Sequence, residues 1–179
     1  LLIDKNKDAF VIVDPVMADS GKLYAGFDHG FAEKMKILCK KADIITPNYT
    51  EACFLSGVEY SEVPTHEEIG RCFDGIESAG IKAAAITGIR SPDGKIGTAY
   101  RNFETGASYM TDHPFVDAML HGGGDVFASV LCGMIMSGKT TEKAICAADS
   151  FTYECIKNTE TAGQYGLNFE TLIKNLSEY

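Results

Sequence analysis

Apolar positions along the chain follow two rhythms. Ala9, Phe10, Val11, Ile12 and Val13 form an unbroken apolar run rich in β-branched residues, which predicts a strand buried on both faces of a parallel sheet. Phe27, Phe31, Met35 and Leu38 then recur at helical spacing, with Lys34, Lys36, Lys40 and Lys41 on the polar side. Ile44, Ile45 and Thr46 predict a second short strand, stopped by Pro47, and residues 48–56 a short helix ending at Gly57. Thr65-His66-Glu67-Glu68 reads as a capping box, and the helix it opens carries Ile69, Cys72, Phe73 and Ile76 on one face and stops at Gly80. Ile81 to Thr87 predicts another buried strand. Asp93-Gly94 divides two alternating segments, roughly 96–100 and 107–111, expected as an antiparallel addition to the sheet. Residues 126–138 contain no charge, so a helix buried all round is expected there. Ala144, Ile145, Ala148, Phe151, Thr152, Cys155 and Ile156 mark the last amphipathic helix. Strands alternating with helices define an α/β class, with helices on both faces of a mainly parallel central sheet.

Composition narrows the function classes. The 179 residues suit one domain, and the formal charge of −9 comes without any Lys/Arg cluster. That leaves no electrostatic footprint for nucleic acid or an anionic membrane surface. A phosphate-bearing ligand would have to be held by backbone amides and a metal ion. No apolar run approaches the ~20 residues that span a bilayer. The six cysteines include no C-x-x-C pair, which points to a reducing, cytoplasmic setting without zinc or disulfides. The chain opens on Leu1 and reaches a strand almost at once, as expected of a start partway through a fold.

Candidate chemistry gathers at three strand-to-helix junctions, where open α/β sheets bind ligands. Gly122-Gly123-Gly124-Asp125 precedes the uncharged helix. Glycines let the backbone approach a ligand closely, and successive N–H groups at a helix N-terminus make an anion site. Asp125 would lie within reach of an attacking hydroxyl as general base; a flexible turn ending in a helix-capping Asp fits the same residues. Asn48-Tyr49-Thr50-Glu51 follows the second strand. Glu51 could hold a metal through water, or Asn48 and Glu51 could simply form a variant capping box. Asp14 and Asp19, on the loop after the first strand, could flank a cation or a phosphate tail; taken alone, a solvated turn explains them slightly better.

Taken in order, these places resemble the pyridoxal/pyridoxamine kinase branch of the ribokinase-like superfamily. Asp14-Pro15-Val16-Met17 with Asp19 and Gly21 is similar to that branch's Asp-Pro-Val-Met-Gly-Asp-x-Gly loop. Thr46-Pro47-Asn48-Tyr49-Thr50-Glu51 resembles its Thr-Pro-Asn-x-x-Glu, whose Asn and Glu serve a magnesium site. Ile86-Thr87-Gly88 resembles the strand end that contacts ATP phosphates, and His121 to Asp125 its Gly-Thr-Gly-Asp signature. Two departures stand out: Gly123 replaces a Thr and Ala18 replaces a Gly.

The resemblance implies a ribokinase-like three-layer sandwich, of which residues 1–179 would be the carboxy-terminal part of a single kinase domain. It implies transfer of the ATP γ-phosphoryl group to the hydroxymethyl of a B6 vitamer. Asp125 would be the base and touch the substrate; Glu51 and Asn48 would place Mg²⁺. Asp14, Asp19, Asn48, Thr87, Gly88, Gly122, Gly123 and Gly124 would contact nucleotide or phosphate. Need for a monovalent cation stays open; a homodimer is expected of the complete protein. The piece alone is expected to be inactive or weakly active, because the family's pyridine pocket draws on an amino-terminal portion. Two alternatives stand beside this: a hydroxymethylpyrimidine kinase, whose branch tends to carry Cys at the Asp125 position, and a non-catalytic nucleotide-binding fragment.

Overall fold

The computed structural model describes residues 5–6, 8–117, 120–159 and 166–179. It divides into two compact units, Leu1–Met110 and Thr111–Tyr179.

The first unit is built on strands β1 (Ile12–Val13), β4 (Ile44–Ile45), β5 (Ala83–Arg90) and β6 (Lys95–Asn102). The five-stranded sheet runs in the order β1-β4-β5-β6-β7, the last strand being Ser108–Pro114. β1 pairs parallel with β4 and β4 with β5, whereas β5 and β6 are antiparallel. The parallel pairs send the ends of β1 and β4 the same way, so the loops after Val13 and Ile45 emerge on one edge. A small separate hairpin, β2 (Ala18–Asp19) with β3 (Lys22–Leu23), follows β1.

Helices α1 (His29–Cys39), α2 (Tyr49–Ser56) and α3 (His66–Ser78) belong to this unit. Each begins on a side-chain cap: Asp28, Asn48 and Thr65 accept from the backbone N–H three residues on. α3 matches its pattern closely, with the Thr65–Glu68 capping box formed and Ile69, Cys72, Phe73 and Ile76 buried. α2 ends at Gly57, whose φ of 81° is the left-handed conformation a helix stop uses. These faces and the sheet enclose one core that includes Val13, Ile45, Leu55, Phe73 and Ile86.

Four expectations need correction here. The first strand reduces to Ile12 and Val13, and Phe10 is 46% exposed. Within the shortened strand Val13 is buried and Ile12 half-buried; its place at the end of the sheet order is a separate matter from how its faces are covered. Phe27 precedes α1 and stacks on Phe31 at 4.0 Å, while Leu38 lies on the exposed side. Asp93-Gly94 does not divide the two alternating segments but turns β5 into β6, with Gly94 at φ 77°. β6 passes to β7 through a second turn, where the Asn102 side chain accepts from Glu104 and Thr105 N–H.

The second unit is dominated by α4 (Gly123–Met136) packed along α5 (Thr141–Lys157). α5 buries Ala144, Ile145, Ala148, Phe151 and Cys155, as its spacing predicts. α4 is the fourth correction: it buries only Phe127, Val130, Leu131 and Met134, while Ser129, Cys132, Gly133 and Met136 are exposed. An uncharged stretch records low polarity, but in this unit one partner helix covers one stripe of it. A short 3₁₀ helix, Ile173–Glu178, ends the chain. No described helix is long and apolar enough to cross a membrane.

Candidate functional site

The carboxyl edge of the first unit collects Asp14, Asp19, Asn48, Glu51, Thr87 and Gly88. Asp14 directly follows β1, and Asn48 comes three residues after β4. Thr87 forms a parallel bridge with Asn48, and its N–H donates to the Pro47 carbonyl at 2.9 Å. Thr87-Gly88 is not a strand end. β5 continues to Arg90, and Gly88, at φ 71°, sits in a register irregularity between Ile86 and Ile89. Such a bulge bends the strand locally and leaves backbone out of the ladder.

Glu51 is the best-bonded side chain of the region and only 2% exposed. Its Oε2 accepts from Asn48 N–H at 2.9 Å, and its Oε1 from Met17 N–H at 2.9 Å and Ala18 N–H at 3.4 Å. Asn48 returns the favour twice: its Oδ1 accepts from Glu51 N–H and its Nδ2 donates to the Ala18 carbonyl at 2.8 Å. The capping box is therefore real, and it also ties the β2 strand to the first turn of α2. Burial pushes the Glu51 carboxyl up to about 7, against the lowering pull of the Met17, Asn48 and Ala18 amides; nearby Asp14 pushes it further up. Burial, then the carboxylates of Asp19, Glu51 and Asp14, also hold the Tyr24 phenol above its ordinary value.

Whether Mg²⁺ fits here follows from the donor inventory. A carboxylate offers about four lone-pair positions, and three on Glu51 are taken by backbone N–H groups. One of the two lone pairs of the Asn48 side-chain carbonyl is taken as well. No group of three or more His, Cys, Asp or Glu side chains able to grip a metal occurs among the described residues. Hard oxygen donors with one free position suit a hydrated Mg²⁺ held through water.

Ala18, where a glycine was expected, is fully buried and its methyl joins the core. Its φ is not positive, so nothing in the loop demands glycine at this position.

In the second unit the glycine run has a different logic. Gly122 is the N-cap of α4, at φ 98° and ψ 2°, and supplies no side-chain cap. Only Gly122 of the three takes positive φ. Asp125 is the third residue of the helix, not its cap, and is exposed. The helix thus starts with N–H groups that no capping side chain covers, beside a carboxylate open to water. A Cβ placed on Gly123 would meet nothing within 4 Å, so the missing threonine side chain has room. His121 pairs through its backbone with Gly166. Asp125 also lines a cleft of about 690 Å³ whose walls include Val126, Val130, Met134, Phe151 and Phe169, a volume in the range of small-molecule pockets. The contribution of residues 169–179 to that cleft was not visible in any periodic pattern.

Carboxylates at the carboxyl edge of parallel strands, in the first unit, are one part that phosphoryl-transfer α/β enzymes use; an uncapped helix N-terminus beside an acidic residue, in the second, is another. The chain belongs to the phosphomethylpyrimidine kinase family, whose model matches residues 1–169. It is 29% identical over 162 residues to the pyridoxine kinase of Bacillus subtilis, covering 87% of this chain and 56% of that protein. It is 27% identical over 150 residues to the hydroxymethylpyrimidine/phosphomethylpyrimidine kinase of the same organism, covering 83% and 54%. The crystal structure of Leishmania donovani pyridoxal kinase in complex with ADP and pyridoxamine superposes with a TM-score of 0.83 at 25% identity, covering 97% of this chain and 61% of that one. The α/β fold is thereby that of the ribokinase-like pyridoxal kinases, and the chain is similar to phosphotransferases. It spans 54–61% of the length of these three proteins.

Proposed function

We propose that the complete protein transfers the γ-phosphoryl group of ATP to the hydroxymethyl of pyridoxal, pyridoxine or pyridoxamine. The observation that carries this reading is Asp125: an exposed carboxylate three residues after an uncapped, left-handed glycine at the start of a 14-residue helix. Backbone N–H groups at Gly122, Gly123 and Gly124 suit a phosphoryl group whose charge spreads over its oxygens. Asp125 accepts the proton of the substrate hydroxyl. Asp14 and Asp19 flank the phosphate region, and Gly88 offers its backbone at the bulge to a nucleotide phosphate, beside Thr87, whose own N–H is committed to Pro47. Mg²⁺, held through water at Glu51 and Asn48, neutralises phosphate charge when bound. Residues 1–179 act as the carboxy-terminal part of one kinase domain, in a cytoplasmic homodimer.

Hydroxymethylpyrimidine is the second reading, favoured by the family's own name and by the Bacillus subtilis relative. Aspartate rather than cysteine at position 125 supports the B6 vitamers. The test is a direct competition: kcat/KM of the full-length protein for pyridoxal and for hydroxymethylpyrimidine, with MgATP. A pyridoxal preference of tenfold or more, about 1.4 kcal/mol, is expected. An equal or reversed preference would transfer the assignment to the pyrimidine; turnover of neither would leave a nucleotide-binding fragment.

A further inference from the structure

We propose that Thr50 and Tyr60 are positioning residues that hold the tip of the β2–β3 hairpin, and with it the Asp19 carboxylate, in place for phosphoryl transfer. The proposal rests on the kinase reading above.

The hairpin is too small to keep its own shape. Each strand has two residues, and isolated two-stranded hairpins are marginal at best. Its turn, Asp19-Ser20-Gly21-Lys22, has Ser20 at φ 50° and Gly21 at φ 77°. Two consecutive left-handed residues mark the tight hairpin turn that matches strand twist, and serine adopts that conformation at a cost. Something outside the hairpin must stabilise it.

The base is held by Asn48 and Glu51, as described. The tip is held separately. Gly21 N–H donates to the Thr50 Oγ1 at 3.0 Å, across 29 residues of sequence. Thr50 is 3% exposed, so water does not compete well for this bond. On the other side, the Tyr60 ring lies against Gly21: a Cβ there would stand 2.7 Å from Tyr60 Cδ1. Tyr60 is in turn backed by the buried Tyr49 ring, with centroids 5.8 Å apart.

The tip matters because Asp19 belongs to it. One Asp19 oxygen accepts from Ser20 N–H at 2.7 Å, which couples the carboxylate to the turn backbone. A turn that drifts carries the carboxylate with it, and a displacement near 1 Å can cost on the order of 10²-fold in rate. Thr50 thus has a task distinct from its neighbours Asn48 and Glu51, although all three sit within one turn of α2.

The test uses the full-length protein with Thr50→Val, Thr50→Ser, Tyr60→Ala and Tyr60→Phe. Two quantities are measured: hydrogen exchange at the Gly21 amide, and kcat with KM for ATP. Thr50→Val removes the acceptor, so exchange should rise about three- to tenfold, as one lost hydrogen bond predicts. kcat should fall on the order of tenfold while KM for ATP moves less than about threefold. Thr50→Ser should restore both, Tyr60→Phe should resemble the parent, and Tyr60→Ala should behave like Thr50→Val. Should Thr50→Val fail to fold, the partly exposed Tyr60→Ala decides alone. Faster exchange with unchanged kcat, or a loss that serine does not repair, would overturn the proposal while the kinase reading stood. No turnover in the unsubstituted protein would end both.

Discussion

The acidic residues of the two units are held in opposite ways. Glu51 is buried, and three backbone amides occupy it. Asp125 is exposed at the start of a helix whose N-cap supplies no side-chain bond. The first arrangement organises the chain: it joins residues 17–18 to residues 48–51 and gives the hairpin its base. The second leaves donors and a carboxylate available to something outside the chain. Motif spacing treats the two alike, as an acidic residue at the head of a helix. Solvent access and lone-pair occupancy separate a clamp from a reacting group, and neither can be counted from sequence.

The largest effect expected from this contrast is on turnover. Asp125→Asn in the full-length protein should lower kcat by about 10²–10⁴, the usual cost of losing a general base, with MgATP affinity by calorimetry nearly unchanged. Turnover of pyridoxal within about threefold of the parent would remove Asp125 from the mechanism and erase the contrast on its chemical side.

A second expectation concerns pH. The Glu51 carboxyl is raised in the folded chain from 4.5 to about 7, so between those values the folded state binds the proton that the unfolded state has released. Stability from this group is therefore highest below pH 4.5 and declines as pH rises toward 7, by at most about 1.4 kcal/mol per pH unit. Urea titrations of the parent and Glu51→Gln across pH 4–8 isolate it as the difference in slope. A difference of the opposite sign would mean that the amides outweigh burial and keep Glu51 ionised throughout.

The smallest expected effect sharpens the second unit. Gly123→Thr places a hydroxyl where the space is open, and one neutral hydrogen bond contributes about 0.5–1.5 kcal/mol. A gain of several-fold in kcat/KM for ATP is expected. Unchanged or poorer kinetics would mean that the glycine run holds phosphate with its own geometry.

Local rules were legible in the residues. The Thr65 capping box, the buried face of α3 and the stop at Gly57 all depend on neighbours within one or two turns, and the structure reproduces them. The Asn48–Glu51 box was legible for the same reason, as one of two readings. Its second half was not, because Met17 and Ala18 reach Glu51 from 34 and 33 residues away. The β2–β3 hairpin was hidden by strands too short to show alternation. β5 was read as ending at Thr87, whereas antiparallel pairing to β6 carries the strand on past Gly88. The exposed stripe of α4 was missed because charge-free sequence says how a helix can be buried, not how many neighbours it has.

The division of labour is tested most directly by equilibrium unfolding of Glu51→Leu and Asp125→Asn, compared side by side in the same denaturant. Leucine keeps the site dry and strands the Met17, Ala18 and Asn48 amides, each costing about 1–3 kcal/mol when left unsatisfied. Asparagine at position 125 loses only a favourable charge near a helix N-terminus, about 0.3–1 kcal/mol. The account predicts a loss above about 3 kcal/mol for Glu51→Leu and below about 1 kcal/mol for Asp125→Asn. Equal losses, or the larger one at Asp125, would contradict it.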